Sequence, residues 1–422
     1  MYSQEEKFEA VETTAVENAE AAYEPVEPEK KKTDFARKYF EIGVDAGAGL
    51  DNGFIRMDKI LKENIVLELS ELAHGGKNRG AGLNVGLIAD FFMKAKNISI
   101  GNGVWDFGLF TCIEGNIGAN ISKSLLTLIG DGNIDEHDSS GGISVSGGLF
   151  TEISLTGSAK FKIAGKNLYI GVKPSVFTPA LYIPSDSGIS YTLSTKKDGK
   201  DGIYVKTEGE INIYTPTSLE EIDPLRFVFG PSGFDLSLEG EYSVFPFLDI
   251  GGSFSNIPFS AAALQNKLTL GMTELNIPLS GEALMKGEVP EIPDIEFKRI
   301  YNDSDELKVR RLLRFDLYAR YKPFNSELIV IRPNIGFSAN INKGDRTGYF
   351  NAGMEAGLNI NNLFTFHMGF GYRETILSYK AGLGFNLRAF ELDLEAAFRE
   401  QLLGVSFMGR GISVNVGLRF GW

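Results

Sequence analysis

The chain has 422 residues with a formal net charge of −13, 43% hydrophobic and 23% charged residues, 49 glycines, 31 phenylalanines and 15 prolines. That acidity excludes a nucleic-acid binder, which needs cations to neutralise phosphates, and a single cysteine, Cys112, excludes an intrachain disulfide. No stretch approaches the roughly 18 apolar residues of a membrane helix, so a membrane reading requires a closed barrel, because hydrocarbon offers no partner to an open sheet edge.

Residues 1–35 carry ten acidic residues against four lysines and no core pattern. Residues 1–38 are therefore read as a disordered acidic arm. The start, MYSQEEKF, has neither a basic head nor an apolar run. The reading takes the chain as the mature form of a secreted protein whose signal peptide has been removed. From Tyr39 the pattern changes. Phe40, Ile42, Val44, Ala46, Ala48 and Leu50 alternate with Glu41, Gly43, Asp45, Gly47 and Gly49, the period of a strand with one apolar face. Residues 55–73 switch to helical spacing and Gly75-Gly76 ends them. That helix is expected as an insert, a plug in a barrel interior or a cap or periplasmic hatch at its mouth.

Strands then dominate. Trp105, Phe107, Leu109, Thr111 and Ile113 oppose Asp106, Gly108, Phe110, Cys112 and Glu114, and a short apolar segment over 125–129 has the length of a second small helix. Residues 143–163 alternate again, with Val145, Leu149, Ile153 and Leu155 against Ser144, Ser146, Glu152 and Ser154. These runs are longer than ordinary soluble strands and suit strands that cross a bilayer at a tilt. Further strands are expected near 168–183, 188–195, 202–214, 234–244, 247–256 and 267–277. The proline- and charge-bearing segment 278–311 reads as a long exposed loop or a lumenal insert. The last 110 residues are the most regular, with Asn361-Asn362 as a tight turn between Phe350–Ile360 and Phe364–Tyr372, and closing strands at 379–387, 390–398 and 412–422.

The fold expected is all-β: a transmembrane antiparallel up-and-down barrel of about 14 strands, within 12 to 16, spanning 39–422, with one or two short helices as plug or cap. About 380 residues over that number leaves roughly 27 per strand and connection, a reasonable length for such a barrel. Three features favour lipid over a dry protein core. The apolar parity persists over most of the chain with few covering helices, where a soluble core of that size splits into domains. Aromatic residues gather at strand ends on the apolar parity, among them Trp105, Phe161, Tyr321, Phe364, Tyr372, Phe398 and Trp422, as in interface girdles. Finally, Asn415, Gly417, Phe420 and the terminal Trp422 match the polar, glycine, aromatic and terminal-aromatic positions of the signal read by the barrel-assembly machinery.

Lys173-Pro174-Ser175-Val176-Phe177-Thr178-Pro179-Ala180-Leu181-Tyr182-Ile183-Pro184 and the opening strand FEIGVDAGAGLDN carry a further resemblance. The chain resembles, over about 39–422, a family of uncharacterised spirochaetal outer-membrane barrels similar in architecture to FadL-type long-chain fatty-acid transporters. The resemblance implies transport without covalent chemistry. It departs from the transporters at their Asn-Pro-Ala plug motif, for which Thr178-Pro179-Ala180 is the nearest string, so ligand chemistry does not carry over.

Candidate chemistry is sparse. His74, His137 and His367 have no metal-like spacing. His367 reads as a lumen-facing bystander and His74 as a cation near a helix end. The loop Asp131–Asp138 opens like a calcium loop, but Glu136 and Gly142 replace the required glycine and glutamate. No nucleophile elbow or phosphate-cradling loop occurs, so the chain reads as a non-enzyme without cofactor or metal. Glu391, Asp393 and Glu395 share the polar parity of one strand and Arg320 that of another. With Arg388 they are the candidate lumen-lining residues, either a charge-balanced hydrated lining or a selectivity ladder. Arg314, Arg320 and Arg388 are the expected partners of the acids. The functional expectation is an outer-membrane channel or transporter for small molecules, hydrophobic ones included. The alternative is a structural or surface-interaction barrel with a plugged lumen. The expected partners are the outer-membrane bilayer, the assembly machinery and an unidentified small solute.

Overall fold

Alternating apolar and small or polar residues make strands, and twenty of them run along the described chain of this computed structural model. It describes residues 39–52, 81–131, 139–197, 200–217, 225–279, 297–302, 306–342, 348–373, 376–387, 389–400 and 411–422. The acidic arm, the helix expected over 55–73, the loop 132–138 with His137, His74 and Arg388 lie outside these.

The first long strands are β1 (Phe40–Asn52), β2 (Ala81–Ile100) and β3 (Gly103–Ile121), followed by a short helix α1 (Lys123–Asp131) where the apolar run over 125–129 was noted. After β4 (Ser139–Ile163) and β5 (Lys166–Ile183) come β6 (Gly188–Lys197), β7 (Lys200–Thr215), the four-residue helix α2 (Arg226–Phe229), β8 (Gly233–Phe245) and β9 (Leu248–Ser260). An insert follows: β10 (Ala262–Leu264), β11 (Asn266–Leu279), β12 (Phe297–Asn302) and β13 (Leu307–Val309). The chain finishes as a meander of β14 (Leu313–Tyr321), β15 (Ile329–Ala339), β16 (Gly348–Ile360), β17 (Phe364–Arg373), β18 (Ile376–Asn386), β19 (Phe390–Glu400) and β20 (Gly411–Gly421). Alternation does not show β2, whose hydrophobics fall on both parities around Ile88 and Phe92, nor the three-residue β10, and the segment 278–311, expected as a loop or lumenal insert, contains β12 and β13.

Every ladder is antiparallel, and the sheet returns on itself. β20 pairs β19 on one side and β1 on the other, with Leu418 opposite both Leu392 and Val44. Closure removes the edges that hydrocarbon would leave unsatisfied. The barrel takes sixteen strands, two more than the fourteen expected and at the top of the range of 12 to 16. Fourteen strands close the ring by direct pairing, and β6 and β7, both expected as strands, add two where β4 and β5 part. The lower part of β4, Gly147–Ile163, pairs β5, while its upper part, Ser139–Ser144, pairs β6. Gly147, at φ +144°, stands where the two ladders diverge, a backbone angle that a side chain rarely allows. β6 pairs β7, and β7 rejoins β5 through Tyr182 and Tyr214. Reading 188–214 as ordinary wall strands hid this branch, because alternation reports faces and not neighbours. β11 adds to the free side of β7 and β12 to β11, so these strands project as an arm of the same sheet.

Most tight turns gather at one end and the longest connections at the other, although β17 and β18 join through two residues at the latter. At one end β2 and β3 join through Gly101 at φ +58°, and β16 and β17 through Asn361 and Asn362 at φ +53° and +56°. Both torsions match the tight hairpin turn whose twist suits the flanking strands, and the Asn359 side chain accepts the Asn362 N–H at 2.8 Å. At the opposite end stand the long connections, including that from β1 to β2. The two chain ends meet at the short-turn end, where the Tyr39 N–H donates to the Trp422 carbonyl at 2.5 Å and the Phe40 and Trp422 rings lie 5.0 Å apart.

The large apolar side chains point outward. Val44, Leu87, Leu155, Phe254, Ile335, Phe366 and Leu418 are all exposed, Leu155 at 64%. Their neighbours on the other parity, including Glu41, Glu152, Ser154, Asp235 and Asp249, are buried. This inverts the arrangement of a water-soluble sheet, and the apolar belt is far larger than any a soluble monomer exposes. None of the described helices is long and apolar enough to cross a membrane; the wall itself is the spanning unit.

Candidate functional site

A barrel that faces lipid on the outside does its work in the lumen, and here the lumen is divided. After β9 the chain leaves the wall. β10 and β13 pair only with each other among the described strands, Ala262 opposite Val309 and Leu264 opposite Leu307. Ala262, Leu264 and Val309 are wholly buried. Leu264 and Val309 pack on Tyr182 of β5, with Phe150, Tyr214 and Leu307 around them. Phe150 shares the inward parity of Glu152 on β4, and its ring stands 6.4 Å from Tyr182 and 6.3 Å from Phe177, so the ribbon lies on the lumenal side. On the outer side, where the β5–β8 ladder ends at Phe177 and Gly233, α2 covers the wall. The Thr151 and Thr178 hydroxyls, on the lipid-facing parity, donate to the Phe227 and Val228 carbonyls at 3.0 and 3.2 Å. Two hydroxyls on the lipid-facing parity gain carbonyl partners there.

The segment from Arg310 to Leu312 leads from the ribbon back to the wall, and Arg311 is its centre. Its guanidinium donates to both carboxylate oxygens of Asp235, at 2.8 Å from Nε and 2.7 Å from Nη2, and to Glu152 from Nη1. The side chains of Arg311, Glu152 and Asp235 are 6%, 4% and 1% exposed. Glu152 also accepts from Lys173 at 2.8 Å and from Ser175 at 2.9 Å, and the guanidinium carbon stands 5.2 Å from the Phe177 ring centre. Two acids and two bases make the cluster neutral, and the fork of the guanidinium matches the planar carboxylate. Burial disfavours the arginine charge, but the Asp235 hydrogen bonds and the Glu152 and Asp235 charges more than offset it, so its pKa stands above the ordinary value.

The backbone beside Arg311 is held as well. Asn342 accepts the Arg310 N–H at 2.7 Å and donates to the Arg310 carbonyl at 2.9 Å and to the Tyr182 hydroxyl at 3.1 Å. Asn256 donates to the Leu312 carbonyl at 2.9 Å. One step further on, Arg314 of β14 reaches Glu114 of β3 at 2.5 Å. Around the wall β9, β8, β5 and β4 separate those two strands, so this ion pair bridges the lumen. Beside it lies a chamber of about 500 Å³ lined by Asp90, Lys94, Cys112, Glu114, Glu152 and Arg311, among others. A second void of about 260 Å³ opens among Glu41, Asn359, Asn362, Glu391, Asp393 and Arg419 at the short-turn end, and Lys96 lines both.

The residues singled out from the sequence fall into separate groups. Glu391 and Asp393 meet Arg419 of β20 at 2.6 and 3.0 Å, and Arg419 reaches Asp45 of β1 at 3.3 Å. Glu395 meets His367 at 3.0 Å, Lys380 at 3.3 Å and Asn415 at 3.1 Å. Arg320 stands apart from all three, bound to Glu241 and Glu327 at 2.9 Å each, and to Asp249 at 3.6 Å. The expected pairing of arginines 314 and 320 with the acids of β19 is thus replaced by cations of the strands next to β19. Ladder neighbours lie about 5 Å away, while the expected partners stand on distant strands. Arg419 was visible on the polar parity of the last strand. Arg311 was not, because it sits in an irregular segment with no period to report its direction.

Gly417 lies between Asp45 and Asp393 in the ladders of β20, and Asn415 between Gly47 and Glu395. Phe420 projects to the lipid side beside Phe390, 5.4 Å between ring centres. Cys112 is a buried free thiol between Asp90 and Glu152 in the register.

No protein-family profile matches the chain, and no curated protein matches it. Among solved structures the chain is similar to a deletion mutant of TodX described as a monoaromatic hydrocarbon channel, at TM-score 0.45 and 10% identity, covering 92% of each chain. It is similar to a Pseudomonas aeruginosa FadL homologue at TM-score 0.41 and 9% identity, covering 91% of this chain and 90% of that one. It is also similar to the translocator domain of the autotransporter NalP from Neisseria meningitidis, at TM-score 0.31 and 9% identity, covering 92% and 90%.

Proposed function

We propose that this chain is a bacterial outer-membrane channel or transporter that passes small molecules through its lumen by binding and permeation, without covalent chemistry. The observation that carries the reading is the inversion of the wall: hydrocarbon-compatible side chains outside, and inside an ion-paired lining around a chamber of about 500 Å³. That volume lies within the range of small-molecule sites. Its lining of carboxylates, lysines and arginines favours polar solutes over the hydrophobic ones also expected. By analogy with other outer-membrane barrels, the short turns face the periplasm and the long connections the exterior.

Proteoliposomes bearing the wild-type chain should take up small polar solutes faster than protein-free vesicles and should exclude solutes larger than the chamber. Absence of uptake both by the wild-type chain and by a variant with alanine at Arg310, Arg311 and Leu312 would favour the alternative reading, a plugged surface-interaction barrel. The projecting arm of β11 and β12 is the feature that supports that alternative.

The terminal strand supports recognition by the barrel-assembly machinery through Asn415, Gly417, Phe420 and Trp422. Removing Trp422, or replacing Phe420 with Ala, should sharply lower the fraction of chain that reaches the outer membrane. Refolding of the same purified variants into detergent should change little, because only one lipid-facing ring is lost. Assay of folded barrel in outer-membrane fractions, beside refolding yield in vitro, checks this. Equal losses in both would reduce the signal to an ordinary closing strand.

A further inference from the structure

We propose that the ribbon of β10 and β13, with the segment Arg310–Leu312, is a resident gate and that Arg311 is its latch. The inference rests on the channel reading and adds how passage is controlled. Every strand of the wall is tied to its neighbours by ladders whose rupture would open the barrel. The ribbon is not, for among the described strands β10 and β13 pair only with each other, as a sheet of their own. The ribbon itself contributes no hydrogen bond to a wall ladder, and Ala261 and Gln265 are its joints to β9 and β11. What holds it are side chains: the apolar contact of Leu264 and Val309 with Tyr182, the Asn342 and Asn256 bonds to the segment behind it, and the Arg311 fork.

The position suits a gate. Arg311 and Glu152 line the chamber, which shares Lys96 with the void at the short-turn end. The insert itself springs from the opposite end, between β9 and β14. The chamber and the void at the short-turn end thus meet at Lys96, while the ribbon and its arginine stand on the side of the long connections. A guanidinium paired with two buried carboxylates is a stable stop, yet neutralising or removing one member leaves a buried charge unmatched, which strongly disfavours the closed arrangement. The latch is a two-state device in that sense: closed when all its members are paired, displaced when one is missing.

The test uses the full chain in proteoliposomes and reads the uptake rate of a small polar solute. Arg311→Ala should raise the rate roughly tenfold or more, the change expected when the closed population loses its main tether. Because that variant leaves the buried Asp235 without its cation, Arg311→Met with Asp235→Asn provides a neutral second variant, and the same rise is expected. Tyr182→Cys with Leu264→Cys, in an Arg311→Ala chain that also carries Cys112→Ser, should return uptake to the wild-type rate when oxidised and release it on reduction. Uptake by Arg311→Ala and the neutral variant at the wild-type rate, with wild type itself permeable, overturns the gate and leaves the channel standing. If neither wild type nor any variant admits solute, the channel reading fails and the gate with it.

Discussion

Replacing Asp235 with Asn should cost the folded barrel about 3–5 kcal/mol, the range for removing one partner from a buried ion pair. Asp235 is 1% exposed and takes two hydrogen bonds from Arg311. Without its charge, Arg311 and Lys173 face Glu152 alone, and the nearly buried Arg311 loses the partner of its Nε and Nη2 donors. The pairing in the wild type is not itself worth that much, because bringing four charges out of water consumes most of what their attraction returns. The asymmetry gives the control: Arg311→Met with Asp235→Asn should recover most of the loss. Urea unfolding of the refolded barrel in phospholipid vesicles measures both. A shift below about 1 kcal/mol for Asp235→Asn, the size of an exposed pair, would mean that water reaches the cluster, and the lumen would have to be read as open there.

Met368→Arg should cost about 2–4 kcal/mol, the penalty for a cation on the lipid face near the bilayer midplane. Met368 is 52% exposed in the middle of β17, between Phe366 and Phe370 on the outward parity. Thr365→Arg, on the other parity of the same strand and beside Glu391 and Asp393, should stay within about 1 kcal/mol, the scale of a hydrated ion pair. The same unfolding assay compares them. Equal costs would show that the two faces meet the same solvent, and the outward-lipid reading would fall. The comparison is sharp because the two positions are three residues apart on one strand, so propensity and ladder hydrogen bonds are nearly shared.

Most of the wall was legible in the sequence, because a strand that meets two different solvents must alternate. Phe364, Phe366, Met368 and Phe370 against Thr365 and His367 state the two faces directly, and the structure places them so. The Asn361-Asn362 turn was equally readable, since few residues other than glycine and asparagine tolerate consecutive positive φ values. β2 was missed for a related reason. Ile88 and Phe92 add hydrophobics to the parity that also carries Asp90 and Lys94, and Phe92 is buried on the lumenal side against Gly43. An aromatic ring filling the space over a glycine erases the contrast on which alternation depends.

The sequence by itself determined the fold class, the direction of each long strand's faces and the closing position of the last strand, because these follow from local period and from the solvent each face meets. It also determined that charges gather inside, since a carboxylate on the polar parity of a lipid-facing strand has nowhere else to go. Only the tertiary structure decided which charges meet: Arg419 with Asp45, Glu391 and Asp393, and Arg311 with Glu152 and Asp235. It alone decided that β6 and β7 enter the wall where β4 and β5 part, and that a short ribbon turns inward. The physical reason is range. Alternation is a property of adjacent residues, whereas Arg311 and Glu152 lie 159 positions apart, and what brings them together is the circumference of the closed sheet.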